Sequence, residues 1–497
     1  MKFGSYPGIV PTEYYPNDIR RILKANVKTD GFIGALAQIE MELAYDLRGQ
    51  AFGEGVSLPR GGALSYLKAF VPLKEVVVPA EITQQALDLA GSEQDAWGRV
   101  VDRTLRMQRT DFEWLMQLIA AGDGTGRLAR VLSCDTGGSV TADRIRICCD
   151  NTYSDFGSEN VANIKVGQWV EIYNAAGALA TDGNGVVKWQ VTKVWFGDRD
   201  NGRAVTPAYT SGSEVACFEI ICADAQHATV GAFCDDGALV HIAGTRSMGV
   251  TTDTSEYFVV GGSASQLCYR AYQIQGSVSG YCSLPMGLGG IIQSALANQQ
   301  TDAAIDCTLD TFQGLARASY ATLNAHIFDG DNIGGSEGVP GDWGISTISR
   351  ALTQIRRDTG HWPNLLACSM ELAEAIDRRN KSELPISVVV DSAEKLRQVA
   401  LSGEFVTQFK RPDGKVIPVE VWETCPKNVL KIINTDFLQW YSKGGFDYKR
   451  FGDSGGVWNK SYGDRLANVE CHFGGYEQLA APRCDVHGEI QDMRDDI

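Results

Sequence analysis

The chain has 497 residues, of which 44% are hydrophobic and 21% charged, so it carries enough apolar residues for large buried cores. Its formal net charge is −16, and clustered Lys and Arg are missing, which argues against tight binding to nucleic-acid phosphates. No apolar run approaches the roughly 18 residues that span a bilayer, and residues 1–7 precede no signal-peptide core. We therefore expect a protein that is made in the cytosol and does not enter a membrane.

The thirteen cysteines form no CxxC pair, and the six histidines are scattered along the chain. Cys148 and Cys149 are adjacent, whereas most other cysteines, such as Cys217 and Cys368, lie in apolar strand-like stretches. This pattern is typical of buried thiols in a reducing compartment. A zinc site needs paired ligand spacings that this chain lacks, so no metal or cofactor is predicted.

The N-terminal third contains an arm, a short helix and a long excursion. Residues 1–28 are rich in Pro, Tyr and charge without periodicity, which indicates an extended arm. In residues 29–49, apolar residues including Phe32, Ile39 and Leu43 recur with helical spacing, which predicts a helix. Residues 50–91 are rich in Gly and Pro and hold two β-prone runs, 64–71 and 75–78. They predict a hairpin-like excursion with little core of its own.

The strongest periodic pattern lies in residues 92–121, where apolar residues such as Trp97, Leu105 and Phe112 recur at helical spacing. Charged residues occupy the opposite side, and the glycine cluster at 122–126 ends the pattern. The segment predicts a helix about 45 Å long. A phosphate-binding loop is not favoured, because the cluster follows a helix C-terminus and no Lys comes after it.

The middle and C-terminal parts differ in their patterns. Strand candidates recur between turn signals at 144–148, 168–173, 186–196, 214–222, 238–243, 257–260 and 267–273, which predicts a small inserted β-barrel or sandwich. Farther on, helices are predicted at 301–323, 345–359, 369–379 and 392–401, with strands at 365–368, 386–390, 405–409, 416–422 and 429–433. Residues 466–489 are predicted to form a returning strand pair. The chain is therefore predicted to be α+β.

One short motif is also found in an enzyme family. Residues 452–456 read GDSGG, the sequence that surrounds the nucleophile of chymotrypsin-like proteases, which makes Ser454 a candidate nucleophile. The helices predicted before it do not fit a double-barrel protease, and no upstream histidine has that family's sequence setting, so a turn is favoured. A second alternative is a host- or glycan-binding module in residues 134–245. In residues 329–332 the acidic loop lacks EF-hand spacing, so no calcium site is predicted.

The order of these parts resembles the major capsid proteins of tailed bacteriophages, which have the Hong Kong 97 fold. Locally, QRTDFEWLMQLIAAGDGTGRLARV looks like the end of that family's spine helix, and TFQGLARASYATLNAHI looks like its link to the axial domain. The resemblance implies a Hong Kong 97-type capsid fold with these parts: arm 1–28, N-terminal helix 29–49, extended loop 50–91, spine helix and start of the peripheral domain 92–133, inserted β domain 134–245, peripheral return 246–289, axial domain 290–435 and returning strands 436–497.

The resemblance also implies a function. The chain would be a non-enzymatic shell subunit that assembles in the host cytoplasm as hexamers and pentamers and resides in the virion. Its other partners would be a separate scaffolding protein, a portal, decoration proteins and, without sequence specificity, the packaged DNA. Lys68 and Lys74 lie where some members crosslink a loop lysine to an asparagine, although no partner is assigned. The implied assembly residues are Arg60, Lys68, Lys74, Glu75, Arg99, Arg103 and Arg106.

Overall fold

The structure is a computed structural model. It describes residues 27–28, 32–33, 36–44, 65–83, 94–122, 124, 126–135, 144–150, 163–174, 179–183, 185–196, 215–222, 226–234, 238–243, 257–259, 267–269, 284–294, 311–313, 315–330, 343–383, 408–411, 413–422, 424–426, 428–448, 459–461, 468–491 and 493. Most of the predicted arm, the helix at 392–401, the strand at 386–390 and the GDSGG motif lie outside these residues.

The described strands, in chain order, are β1 (Val27–Lys28), β2 (Phe32–Ile33), β3 (Leu36–Ala44), β4 (Ser65–Pro72), β5 (Lys74–Thr83), β6 (Arg127–Asp135), β7 (Arg144–Asp150), β8 (Trp169–Tyr173), β9 (Trp189–Phe196), β10 (Val215–Ile221), β11 (Leu239–Ile242), β12 (Tyr257–Val259), β13 (Leu267–Tyr269), β14 (Thr311–Phe312), β15 (Leu315–Ala316), β16 (His326–Asp329), β17 (Leu365–Cys368), β18 (Gln408–Lys410), β19 (Val416–Val421), β20 (Leu430–Ile433), β21 (Gln439–Tyr448), β22 (Asn459–Ser461), β23 (Asn468–Ala480) and β24 (Gly488–Gln491). The described helices are α1 (Gln94–Ala121), α2 (His227–Gly231), α3 (Leu288–Ile291), α4 (Ile345–Thr359) and α5 (Met370–Glu383).

The prediction of a helix at residues 29–49 was wrong. This segment contains β2 and β3, and β3 pairs with β4 along an antiparallel ladder. Within β3, Ala37, Ile39 and Met41 are buried, while Glu40 between them is exposed. Apolar and polar residues therefore alternate with the period of a strand, and pairing with β4 outweighs the weaker helical pattern. The hairpin begins inside the segment that was predicted to be a helix.

A five-stranded sheet carries α1. Its strands run in the order β1-β21-β23-β22, and β5 pairs with the other edge of β23 over the whole length of β5. The two described strands of the excursion thus belong to two sheets, β4 to the sheet with β2 and β3 and β5 to this one, and Val71, Leu73 and Val76 belong to the largest buried cluster. The expectation of an excursion with little core does not hold for residues 65–83.

An antiparallel six-stranded barrel follows α1 directly. Its strands close in the order β10-β7-β6-β11-β8-β9, and the interior contains Phe218, Trp189, Ile147 and Val240. The sequence pattern predicted this domain as a barrel or sandwich, and the barrel form is confirmed. The strand candidates at 257–260 and 267–273 do not belong to it, because β12 and β13 pair with each other in a separate two-stranded sheet. The barrel begins at β6, so it starts before the expected boundary at residue 134. Closure pairs every strand on both sides, which leaves the barrel without an open edge.

Another sheet is mixed and six-stranded, with its strands in the order β16-β24-β20-β17-β19-β18. Helices α4 and α5 pack on it through Ile348, Leu352 and Leu372. The predicted helix at 345–359 is confirmed, as is the strand at 365–368. The expected strand pair at 466–489 is corrected, because β23 lies in the five-stranded sheet and β24 lies in this one between β16 and β20.

The predicted helix at residues 301–323 is contradicted over its described part. From residue 311 the chain forms β14 and β15 and then two short 3-10 turns. The side chain of Arg317 is fully buried, and it donates hydrogen bonds to the carbonyls of Gly290 (2.7 Å), Gln293 (2.9 Å) and Leu323. These bonds give partners to both terminal amino groups of the buried guanidinium, and a regular helix would carry that side chain away from its acceptors.

Candidate assembly surfaces

Helix α1 is fixed to the five-stranded sheet by a buried polar residue and an aromatic pair. The side-chain amide of Gln108 donates to the carbonyl of Val78 at 2.7 Å and to that of Cys471 at 3.3 Å. The ring of Phe112 meets Phe473 edge to face, with centroids 5.0 Å apart. Strands β5 and β23 therefore hold one side of the helix by contacts that depend on its rotation.

The C-terminal end of α1 joins three parts of the subunit. Gly122 follows the helix, and its carbonyl accepts a hydrogen bond from the N–H of Gly289 in α3 at 3.0 Å. A Cβ on Gly287 would lie 2.0 Å from the carbonyl oxygen of Ile119, so only glycine permits this approach. The hydroxyl of Thr424, in the loop after β19, donates to the carbonyl of Gln117 at 3.2 Å. The predicted helix end at the glycine cluster is confirmed.

The middle of α1 has a surface face with both charged and apolar residues. Arg103 and Arg106 are exposed, and Met107, which follows Arg106 directly and lies one turn after Arg103, is 59% exposed. Arg99 lies in the same helix, one turn earlier. An exposed thioether next to guanidinium groups combines apolar area with charge, a composition that is common in protein interfaces.

The β3–β4 hairpin has one buried and one charged face. Lys68 is exposed on β4, and its directly paired residue on β3 is Glu40, which is also exposed. The neighbouring Ala69 is 3% exposed because it points into the core. The hairpin thus presents an outer face with charges of both signs, whereas its inner face is committed to the subunit core.

Strand β5 carries two more of the predicted residues. Lys74 begins the strand and is half-buried, and its paired residue on β23 is Glu477. Glu75 is exposed and pairs with Tyr476, which is 42% exposed. Arg60 lies outside the described residues. Among the predicted assembly residues, the structure therefore divides the described ones among three elements, namely β4, β5 and α1.

Glu40 and Met107 extend these surfaces, and neither was predicted from the sequence. Glu40 was overlooked because its segment was assigned to a helix, although the alternation of residues 37–42 indicates a strand that could pair with Lys68. Met107 was not among the residues that the helical pattern singled out. Its exposure follows from the sheet packing on the Gln108 and Phe112 side, which the sequence pattern does not reveal.

The histidines that a Ser454 nucleophile would need are held in packed positions. His241 lies against Tyr173 with ring centroids 5.1 Å apart, and the ring of His227 is hydrogen-bonded to the carbonyl of Cys222 at 3.0 Å. Burial lowers the pKa of His326, whose ring stacks on Phe328. Since Ser454 lies outside the described residues, no distance from these rings to its hydroxyl is defined.

The described part of the chain shows neither a metal-binding cluster nor a membrane-spanning helix. No three His, Cys, Asp or Glu side chains there converge in a group that could hold a metal ion. No helix in that part is both long enough and apolar enough to cross a membrane. The cysteines whose side chains the structure describes are free thiols, and all of these are buried except the half-buried Cys134.

Comparisons with known proteins gave matches by structure only. No protein-family model matches the chain, and no curated protein matches it. A chain of the cyanophage A-1(L) capsid asymmetric unit is 10% identical with a TM-score of 0.46, and the match covers 98% of this chain and 95% of that one. A chain of the satellite phage P4 procapsid, which includes the size determination (Sid) protein, is 9% identical with a TM-score of 0.35, covering 99% and 97%. A chain of the native GTA particle capsid is 9% identical with a TM-score of 0.35, covering 98% and 97%. At these identities and TM-scores, no residue role is transferred to this chain.

Proposed function

We propose that this chain is a major capsid protein, the repeating subunit of a closed shell around double-stranded DNA. The observation that carries the proposal is the arrangement around α1. The helix lies on a sheet formed by β5 and the returning strand β23, it leads directly into an inserted β-barrel, and an α/β sheet follows. This order of parts is the one that the sequence resemblance to Hong Kong 97-type capsid proteins implies.

The outer faces of the subunit support self-assembly. The hairpin presents Glu40 and Lys68, and α1 presents Arg103, Arg106 and the apolar Met107. In a symmetric shell each such contact is repeated in every copy, so weak individual contacts sum to a stable assembly. We infer that these faces meet neighbouring subunits in hexamers and pentamers.

The remaining partners follow from the same proposal. The mixed sheet with α4 and α5 would be the axial domain, and the five-stranded sheet with α1 would belong to the peripheral domain. A scaffolding protein, a portal and decoration proteins would complete assembly in the host cytoplasm, and the product would be the virion capsid. Contact with packaged DNA would be weak and non-specific, because the chain has a net charge of −16.

Electron microscopy of the purified protein, alone and with its scaffolding protein, tests the function. We expect rings of five or six subunits, or closed polyhedral shells of uniform size. A chain that stays monomeric under both conditions, at concentrations up to the millimolar range, would contradict the proposal.

Charge reversal tests the proposed surfaces. We expect Lys68→Glu, and separately Arg103→Glu with Arg106→Glu, to raise the concentration needed for assembly by about fivefold, because each copy loses about 1 kcal/mol of contact energy. Lys165→Glu is the matched control for Lys68→Glu, since Lys165 is exposed in the turn before β8 and undergoes the same charge reversal on the barrel. Light scattering follows assembly, and circular dichroism verifies the fold. Equal effects of the control and test variants would exclude these faces as the contacts.

A further inference from the structure

Two cysteines lie side by side on neighbouring strands of the barrel. Cys148 on β7 and Cys217 on β10 are directly paired in the antiparallel ladder. Their Sγ atoms are 2.8 Å apart, with one thiol donating a hydrogen bond to the other. Both side chains are fully buried. A disulfide needs an S–S distance of about 2.0 Å, so bond formation requires a movement of less than about 1 Å.

The ladder selects this pair over the adjacent Cys149. Side chains alternate along a strand, so Cys148 and Cys149 point to opposite faces of β7. Cys149 belongs to the apolar cluster inside the barrel, and its paired residues are Ala216 on β10 and Val131 on β6. Cys149 therefore has no cysteine opposite it, whereas Cys148 does.

An ion pair fixes the register next to the cysteines. Arg146 and Glu219 are the next directly paired residues on the same face, and their side chains approach to 3.4 Å. Both side chains are mostly buried, which strengthens their interaction. The two strands are therefore held in the alignment that keeps the sulfur atoms together.

We propose that Cys148 and Cys217 are an oxidisable pair that closes to a cross-strand disulfide and covalently joins β7 to β10. A peroxide is the oxidant. One thiolate attacks the peroxide oxygen, which gives a sulfenic acid and releases water once protons are balanced. The second thiol then attacks the sulfenic sulfur, the S–S bond forms, and a second water leaves. Two thiols lose two electrons and two protons in total, and one peroxide is reduced.

The surroundings set the rate of this reaction. The hydrogen bond between Cys217 and Cys148, together with burial, raises the pKa of Cys217. Since the thiolate is the reactive form, the pair reacts slowly at neutral pH, and a small peroxide reaches it more readily than a bulky disulfide does. The two thiols of the barrel therefore stay reduced in a thiol-rich cytosol, and the disulfide forms only under sustained oxidation.

Peptide mapping of the peroxide-treated, full-length protein tests the pair without any substitution. Trypsin places Cys148 with Cys149 in residues 147–165, and Cys217 with Cys222 and Cys234 in residues 204–246. We expect these two peptides to become linked, with a mass about 2 Da below their sum, and dithiothreitol should separate them. Oxidation of other cysteines without this linked peptide would overturn the proposal.

Single variants identify the sulfur atoms. We expect the linked peptide to persist in Cys149→Ala and to disappear in Cys148→Ala and in Cys217→Ala. In the double variant Cys222→Ala/Cys234→Ala the link should remain, because Cys217 is then the sole cysteine of its peptide. A link that survives Cys148→Ala, or is lost in Cys149→Ala while the melting curve is unchanged, would assign the bond elsewhere and reject this pair.

Thermal unfolding supplies a second readout. The disulfide would close a loop between positions that are 69 residues apart in sequence, which restricts the unfolded barrel. We expect oxidation to raise the melting temperature of the barrel by several degrees in the wild type and in Cys149→Ala, and to leave Cys217→Ala unchanged. The same rise in melting temperature in Cys217→Ala would contradict a disulfide between Cys148 and Cys217. Neither outcome depends on whether the protein forms a shell.

Discussion

The barrel and the rest of the subunit reach stability in different ways. The interior of the barrel is made by residues between Leu118 and Val240, and each of its strands pairs antiparallel with two barrel neighbours. The largest cluster of the remaining fold instead combines residues from Ala37 to Cys484. The barrel is therefore a local unit, and the body, meaning the five-stranded and mixed sheets with their helices, depends on contacts across the whole chain. An inserted barrel that is stabilised locally can be exchanged for another domain without changing the contacts of the body.

The largest difference in stability between the two regions is expected from Lys431→Ala, which lies in the body. Lys431 is fully buried in the mixed sheet, and its ammonium group lies 3.2 Å from the carboxylate of Glu489, which is 2% exposed. Removing one partner leaves a buried charge without its counterion, so we expect a loss of about 4 kcal/mol of unfolding free energy. Hydrogen exchange should speed up in β20 and β24 and stay unchanged in β7 and β10.

A double variant controls for this effect. Lys431→Met with Glu489→Leu removes both charges and keeps the apolar volume, so most of the lost stability should return. Equal destabilisation by the single and double variants would show that packing, rather than the ion pair, holds this part of the sheet. Faster exchange in the barrel would show that the two regions unfold together.

The converse experiment is Phe218→Ala in the barrel. Phe218 is fully buried among Ile147, Trp189 and Val240. We expect a loss of about 3 kcal/mol, because the substitution removes apolar contacts and leaves a cavity. Hydrogen exchange should now speed up in β7 and β10, with β20 and β24 protected as before. A Phe218→Leu variant should lose less, since it fills part of the cavity, and protection lost equally in both regions would contradict a local barrel.

The same contrast between local and long-range contacts explains which elements could be predicted from the sequence. Helix α4 was predicted correctly because it shows one clear period and ends at Gly360, and strand β17 because it is a short apolar run that follows this stop. Barrel strands were also found from short alternating runs between turns. In each of these cases the pattern within a single segment determines its structure.

Errors occur where contacts from distant segments decide the structure. Residues 36–44 carry both a helical and an alternating pattern, and only pairing with β4 resolves the ambiguity. Around Arg317, the acceptor carbonyls of Gly290 and Gln293 come from another segment. For the candidate surfaces, sequence could propose Lys68 and Arg103 as charged positions, but the exposure of Met107 depends on which side of α1 meets the sheet.

Acid should affect the body through His487. This ring is fully buried, and burial, followed by the positive charge of Arg483, lowers the pKa of His487 to about 3. Below the unfolded value of about 6.5, the unfolded chain binds a proton that the native ring does not, so stability falls with decreasing pH. We expect a loss of about 2 kcal/mol between pH 6.5 and about pH 5, at about 1.4 kcal/mol per unit.

Urea titrations at several pH values measure this dependence. His487→Gln should flatten the pH slope over this range, even if it lowers stability at pH 7, because glutamine does not titrate. Exchange in β24 should rise with acid before exchange in β7 does. An unchanged slope in His487→Gln would assign the acid response to other groups, among which His326 also has a pKa lowered by burial.

The smallest loss of unfolding free energy is expected from substitutions that lie outside both hydrophobic cores. Gly360 ends α4 with φ at 78°, in the left-handed region, and no heavy atom lies within 4 Å of a Cβ placed there. Gly360→Ala should therefore cost only backbone strain, about 1 kcal/mol. Gly360→Asn should cost less, because asparagine tolerates this conformation better. Urea unfolding of both variants measures the difference. Equal losses for alanine and asparagine would mean that the helix end is limited by packing, and any change in barrel exchange would contradict the independence of the two regions.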